Sequence, residues 1–465
     1  MSDRITKSLA EFAKGVTYES LSEPVVAEVK RRVIDTLACL MSGYEFDAST
    51  AARKLSYLYE KQGGASVIGT DKKVAVDYAT FANGTAIRYL DYNDTYLSVE
   101  PLHPSDVIAP LFALAEERKI SSKKLIAAIA AAYEVGVNFC DSASLKSNGW
   151  DHVNYITVAT VVGGANLLDF TTEQTEQALA LAIVPHAAMR QTRNGEISMW
   201  KAAAAANAAR NAVFAIQLAE CGMKGPFEPF EGTMGMNYQM LAQKLDAEAV
   251  GKKFENVVSP EGILKTYVKN WAVEYMTQSA IEAALTLYEQ IDSADDIEQV
   301  HIETFQMAYD ILAKDEQKWA PETRETADHS LPFIVMAALE DGGINLDTFS
   351  PERLSVEKTL SRLKSIMTIE VTDEMNAGYP DGNPNRITLL MKDGRKLVEI
   401  VKHPAGHSGN PFSDEKIEEK FFRLTQNFIT EEQQIKGLNI LKDFENLTDY
   451  EELVNCFHRK AEVLV

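Results

Sequence analysis

The sequence predicts a mainly α fold with an α+β part: a large all-helical domain built from both ends of the chain, and a smaller α+β domain inserted between them. Three observations carry this. Apolar residues recur at helical spacing from the N-terminus to about residue 266. The pattern then changes, and residues 298–305, 365–373 and 386–401 alternate with a period of two. From Asp414 onward helical spacing returns. The corresponding boundaries are residues 1–265 for the first helical part, 266–404 for the α+β domain and 405–465 for the returning helical part.

Taken in order, residues 23–42 place Val25, Val26, Val29, Val33, Ile34, Leu37 and Leu40 on a helical stripe, and Gly43 supplies the stop. A short helix is expected over 50–61, then a brief apolar run at 66–70 and an Ala-rich helix over 74–90. Helices follow at 104–118, 122–140, 155–168 and 173–185, with Ser121-Ser122 as a cap. Residues 199–220 are the most helix-prone stretch, and their alanines permit close approach of neighbours, so a central helix is expected there, ended by Gly222. In the middle region Asp393-Gly394 between two alternating runs signals a hairpin, and helices are expected at about 276–291 and 327–340.

The chain has 465 residues, 46% of them apolar, a globular composition in a length exceeding one ordinary core. Its formal charge of −22 argues against nucleic acid and anionic membrane surfaces as partners. A polyanionic substrate would then need a locally basic pocket; solubility alone is the plainer reading of the charge. Cys39, Cys140, Cys221 and Cys456 form no CxxC pair and lie in apolar helical patterns, so buried free thiols in a reducing compartment are expected. The N-terminus has no long apolar signal region, and no run reaches the roughly 18 apolar residues of a membrane span, so a cytoplasmic location is expected.

The densest set of reactive groups is DYNDTYLSVEPLHPSD, Asp91 to Asp106. If the preceding helix runs one turn further, Asp91 and Thr95 share a face. Pro101 breaks the chain, and Pro104 sets His103 in an extended conformation ahead of a new helix. Carboxylate, hydroxyl and imidazole would then meet at a corner between helices. The competing reading is a polar loop with a capping Asp and an exposed His. Elsewhere the pattern excludes more than it offers. His403 and His407 are separated by Pro404 and Gly406, which rules out the helix that would align them on a metal. There is no G-x-G-x-x-G, no G-x-x-x-x-G-K-[ST] and no G-x-S-x-G.

Cations among small residues remain. Lys201 lies on the alanine helix, where a charge is costly unless its ammonium meets an anion or reaches solvent. Arg190 and Arg193 precede it, and Lys265 and Lys269 stand at the expected domain junction. Several cations converging on one cleft would suit a polycarboxylate. In RETADHSLP, Glu325 and His329 are four apart, and Asp328 and Ser330 are candidate caps for the next helix.

These residues carry a resemblance. RYLDYNDTYLSVEPLHPSD, GWDH, EISMWKAAAAANAARN, GMKGPFEPFEG, TRETADHSLPF and HPAGHSGNPFS, in this order, resemble the MmgE/PrpD family over essentially the whole chain, and the SMWK and RETADHSLP segments are most similar to its 2-methylcitrate dehydratase branch. The resemblance implies a homodimer without metal or cofactor, acting at the carbon next to a carboxylate. Carried over by position, its site residues fall on Asp91, Thr95, His103, Lys201 and Lys269, with His152 of GWDH beside them. Glu274 stands as in the dehydratases, where the decarboxylases have His, and Phe333 replaces the decarboxylase-type Tyr. Ala272 and Met276 depart from the Pro and His of the dehydratase pattern.

The expected activity is therefore that of a hydro-lyase on a tricarboxylate, 2-methylcitrate and also citrate. Lys201 and Lys269 would stabilise charge, with Arg193 as a third clamp; His103 oriented by Asp91 would be the acid/base, with His152 as the second candidate; Thr95 and Glu274 would bind substrate. The alternatives are a cis-aconitate decarboxylase, an epimerase resembling that of iminodisuccinate, and a catalytically silent tricarboxylate-binding protein.

Overall fold

The computed structural model describes residues 2–195, 197–257 and 259–459, and the chain divides into two compact units. The first contains residues 2–195, 199–266 and 413–459; the second contains 197–198 and 267–412.

The first unit is helical. Its elements are α1 (Arg4–Gly15), α2 (Glu23–Ser42), α3 (Asp47–Ser56), α4 (Val76–Tyr89), α5 (Ile108–Arg118), α6 (Ser122–Cys140), α7 (Val153–Leu167), α8 (Thr172–Ile183) and α9 (Trp200–Glu220). Local chemistry sets their ends. Asp3 caps α1 by accepting from the Thr6 amide, Ser121 caps α6 by accepting from that of Lys124, and Gly222 stops the chain after α9 with φ +87°. The helix enclosed on every side is α7, all of whose residues are buried. The alanine-rich α9 packs on α4, α7 and α8 but leaves Phe214 exposed, so it is not the centre that its composition predicts. Its alanines act as expected where it meets α4: a Cβ on Gly84 would lie 2.9 Å from that of Ala206. This close approach brings the start of α9 to the end of α4, where the site forms. The returning segment is tied in by Lys420 of the helix Asp414–Thr425, which pairs with Asp35 of α2 at 2.6 Å and donates to the Tyr92 carbonyl at 3.1 Å, all in buried surroundings.

The second unit holds a four-stranded sheet in the order β4-β3-β5-β6, made from β3 (Ile297–Thr304), β4 (Met367–Val371), β5 (Asn385–Met391) and β6 (Lys396–Val401). β3 pairs parallel with β4 and antiparallel with β5; β5 and β6 form the Asp393-Gly394 hairpin, with Gly394 at φ +88°. Ile387, Leu389 and Met391 of β5 are buried, and the helix Gln278–Tyr288 packs against β5, β6 and the helix Leu331–Asp341.

Four sequence expectations need correction. The helix predicted over 50–61 ends at Ser56, and Glu60–Ser66 is strand β1, paired with β2 (Lys73–Val74). A Cβ on Gly64 would sit 2.2 Å from the Val74 carbonyl oxygen, so that glycine admits the pairing. Cys221 is exposed because α9 ends before it, whereas Cys39, Cys140 and Cys456 are buried. Glu325 and His329 share no helix, since Arg324–Ala327 is a single turn. Ser330 caps the next helix, while Asp328 Oδ1 lies 2.5 Å from His329 Nδ1.

Candidate active site

The site in the first unit starts where α4 stops. The Asp91 amide donates to the Arg88 carbonyl at 3.2 Å, and the Arg88 Nη1 donates back to Asp91 Oδ1 at 2.6 Å. Between these two bonds Asp91 adopts φ +52°, a left-handed conformation costing a non-glycine residue roughly 1–2 kcal/mol. The helix therefore does not run on, and Asp91 and Thr95 do not share a helical face. Asp91 Oδ2 lies 3.3 Å from Nζ of Lys201 in the first turn of α9. Lys201 is only 7% exposed, so its ammonium stays inside with a carboxylate instead of reaching solvent.

Tyr96 and Leu102 exchange backbone hydrogen bonds of 2.8 and 2.9 Å, closing a loop that returns His103 to Asp94. The Thr95 hydroxyl donates to the Leu102 carbonyl at 3.2 Å. His103 Nδ1 donates to the Asp94 carbonyl at 2.7 Å, so the neutral ring carries its lone pair on Nε2. That nitrogen lies 3.7 Å from Asp91 Oδ1. The tautomer is thus fixed by a backbone carbonyl and not, as the sequence reading expects, by Asp91. Asp91 is instead placed to meet an imidazolium formed at Nε2.

The other carboxylates of the stretch hold the loop. Asp94 accepts from the Ser105 amide at 2.8 Å and the Tyr133 hydroxyl at 2.7 Å, with Arg32 at 3.4 Å; burial raises its pKa against these partners. Glu100 accepts from Ser144 and from the Lys146 amide. Asp106 accepts from Asn93 at 3.0 Å, and burial pushes its carboxyl up to about 7 against the opposing pull of Arg88. A carboxyl whose folded pKa exceeds its unfolded value binds more protons when folded. Its contribution to stability is complete below about pH 4 and is lost as pH rises through 7. Asp106→Asn is expected to flatten this part of the stability profile and to gain on the wild type above pH 7, measured by urea unfolding at pH 5 and pH 8.

His152 arrives from another direction. The Asp151 amide donates to the Ala188 carbonyl at 3.0 Å, and Asn154 and Ala188 exchange two bonds of 2.9 Å. This pins GWDH against residues 188–193, so that Arg193 Nε reaches Asp151 Oδ2 at 3.0 Å, while Asp151 Oδ1 lies 3.4 Å from His152 Nδ1. The His103 and His152 rings are 5.8 Å apart between centroids. Among the described residues, both His152 nitrogens and Arg193 Nη2 are buried without a hydrogen-bond partner. Burial, then Arg193, pushes the His152 pKa well below its usual value, with Asp151 pulling the other way. Buried polar atoms left unpaired are costly, and an anionic ligand would satisfy the donors among them, Arg193 Nη2 and the one N–H of the neutral His152 ring.

Residues 7–248 match the MmgE/PrpD N-terminal domain, and residues 271–445 match the MmgE/PrpD C-terminal domain. The chain belongs to the MmgE/PrpD family. It is 26% identical over 452 residues to the 2-methylcitrate dehydratase of Escherichia coli (strain K12), covering 90% of each chain. It is 27% identical over 449 residues to that of Salmonella typhimurium, again covering 90% of each. The cis-aconitate decarboxylase-like protein oryM of Aspergillus oryzae is 25% identical in an alignment of 480 positions that covers 97% of this chain and 96% of that one.

Among the described residues of this MmgE/PrpD chain, no helix is long and apolar enough to cross a membrane, and no group of three or more His, Cys, Asp or Glu is placed to hold a metal ion. Asp91, Thr95, His103, His152, Arg193 and Lys201 all belong to the first unit; Lys269 and Glu274 belong to the second. Lys269 is buried between Val268, whose amide donates to the Gly406 carbonyl at 2.9 Å, and Asn270, whose amide donates to Gln278 at 3.0 Å. The Glu274 carboxylate accepts from the Met276 amide at 2.7 Å and caps that turn. Sequence reasoning does not single out Arg88 or Asp151. Arg88 carries the signal that marks Lys201, a charge on an alanine-bearing buried helix; Asp151 has only its position beside His152.

Proposed function

We propose that this MmgE/PrpD chain is a hydro-lyase that dehydrates 2-methylcitrate to 2-methyl-cis-aconitate and, by the same chemistry, citrate to cis-aconitate. The observation that carries the reading is the buried grouping of the His103 Nε2 and the Lys201 ammonium around one carboxylate, Asp91. The relatives bearing the name 2-methylcitrate dehydratase support the choice of substrate.

A proton next to a carboxylate is very weakly acidic. Stabilising the charge that develops on that carboxylate therefore matters more than the strength of the base. Lys201 serves that role, and Arg193 Nη2, buried with no hydrogen-bond partner among the described residues, takes a second carboxylate. His103 Nε2 removes the α-proton, and Asp91 at 3.7 Å stabilises the imidazolium formed. The carbon–hydrogen electron pair becomes the double bond, and the β-hydroxyl leaves with the proton returned by His103, so that water is released and the imidazole is neutral again. His152, kept neutral by its surroundings, hydrogen-bonds the substrate and stores no proton. The Thr95 O–H is already donated to Leu102, so its remaining lone pairs accept from the substrate hydroxyl. These steps are proton transfers and loss of water, which call for no cofactor. The proposal includes a homodimer and a cytoplasmic enzyme.

The second reading is decarboxylation of cis-aconitate, favoured by the near full-length similarity to the oryM protein. Incubation with 2-methylcitrate, citrate and cis-aconitate separates the two. Dehydration raises enoate absorbance from the first two substrates without CO2, whereas CO2 from cis-aconitate with no change on the other two would replace the hydro-lyase reading.

A further inference from the structure

We propose that Arg88 is a positioning residue that fixes the conformation and the effective charge of Asp91, and thereby sets how that charge is divided between His103 and Lys201. The inference rests on the reading that His103 and Lys201 act together on a carboxylate substrate.

The first argument is conformational. A non-glycine residue in a left-handed conformation persists only when its surroundings over-determine it. Asp91 at φ +52° is bound twice to Arg88, by its amide to the carbonyl and by its carboxylate to the guanidinium. Both bonds close on the last turn of α4, and the Arg88 side chain is only 1% exposed. The next residue is held from outside the loop by Lys420 on the Tyr92 carbonyl. Without the guanidinium, one of the two bonds between Arg88 and Asp91 is gone.

The second argument is charge. One carboxylate faces Arg88 at 2.6 Å, Lys201 at 3.3 Å and His103 Nε2 at 3.7 Å. Of these contacts, that of Arg88 is the shortest. Asp106, another acidic neighbour of Arg88, stands at 3.9 Å, beyond hydrogen-bond range, and Asp151 acts on the guanidinium only through its charge. Beside a carboxylate already matched by Arg88, the Lys201 ammonium keeps its field for a substrate anion, and an imidazolium at His103 is held less tightly and surrenders its proton. Remove Arg88, and Asp91 neutralises Lys201 while holding the imidazolium more firmly.

The test uses the full chain. The described groups around His103 include Asp91 and Arg88 at the end of α4, the Asp94 carbonyl, Asp106, Lys201 of α9, and the His152, Asp151 and Arg193 set. The first readout needs no substrate. With labelled histidine, and the His103 signal assigned by its loss in His103→Asn, NMR titration of Arg88→Met is expected to place protonation of His103 about one pH unit above the wild type, because a nearby cation is gone and a nearby anion is unshared. Arg88→Lys, which restores the cation, is expected to stay within half that shift. In turnover of 2-methylcitrate, kcat is expected to fall at least about 10-fold in Arg88→Met and to recover partly in Arg88→Lys. A purely structural role would lower the melting temperature in both variants and leave the His103 titration in place, which overturns the proposal. If Arg88→Met does not fold, Arg88→Gln takes its place with the same expected shift. If the wild type leaves 2-methylcitrate unchanged, the activity reading fails, and the substrate-free titration still decides the role of Arg88.

Discussion

His103→Ala is expected to lower turnover of 2-methylcitrate by at least about 10²-fold, the usual loss when a positioned acid/base is removed. The ring is buried and its Nδ1 bonds the Asp94 carbonyl, so an alanine also leaves that acceptor unpaired. His103→Asn separates the two effects. Its side-chain amide can still donate to the carbonyl, but it offers no basic nitrogen toward Asp91. If the lone pair on Nε2 is what matters, Asn is as inactive as Ala while melting closer to the wild type. An active Asn variant would reduce His103 to a loop support and leave the chemistry to His152. Steady-state kinetics with thermal unfolding of both variants is the check.

Lys201→Met is expected to cost about 10²–10³-fold in kcat, as loss of a charge-stabilising donor does. Methionine preserves most of the buried stem against the alanines of α9 and removes only the ammonium. Asp91 keeps its bond to Arg88, so the pocket is not left with a bare carboxylate. The fold should therefore survive. Lys201→Arg is not expected to restore activity, because the planar guanidinium presents its donors in a different geometry from a compact ammonium. Near-normal kcat in Lys201→Met would remove it from the mechanism.

Much of this architecture was legible because it rests on local rules. The helices over 122–140 and 199–220 and the hairpin around Asp393-Gly394 appear within a residue or two of their expected positions, since periodicity, caps and turn residues all agree there. Strand β1 was not legible. EKQGGAS is polar and glycine-containing, and it becomes a strand only because β2 comes back to pair with it. The site divides in the same way. Lys201 is readable because a cation on an alanine face demands a partner. What the sequence could not say was that Asp91 leaves the helix in a left-handed turn, or that a backbone carbonyl, with no side-chain signature, fixes the His103 tautomer. Arg193 reads from the sequence as a ligand for a substrate carboxylate; that its Nε is also held by Asp151 depends on the pairing of residues 149–154 with 188–193, which no local pattern announces.

The central claim is that the chain removes the proton beside a carboxylate of 2-methylcitrate and expels the neighbouring hydroxyl. Proton NMR of 2-methylcitrate with the wild-type enzyme tests this most directly. In the substrate the methyl group is split by the single proton on the carbon that bears it, and removal of that proton turns the doublet into the singlet of a methyl group on a double bond. The account predicts that the doublet decays as the singlet grows in equal amount, with no CO2 released, and that His103→Asn slows the conversion at least about 10²-fold. A doublet that persists while cis-aconitate is consumed with release of CO2 would contradict it.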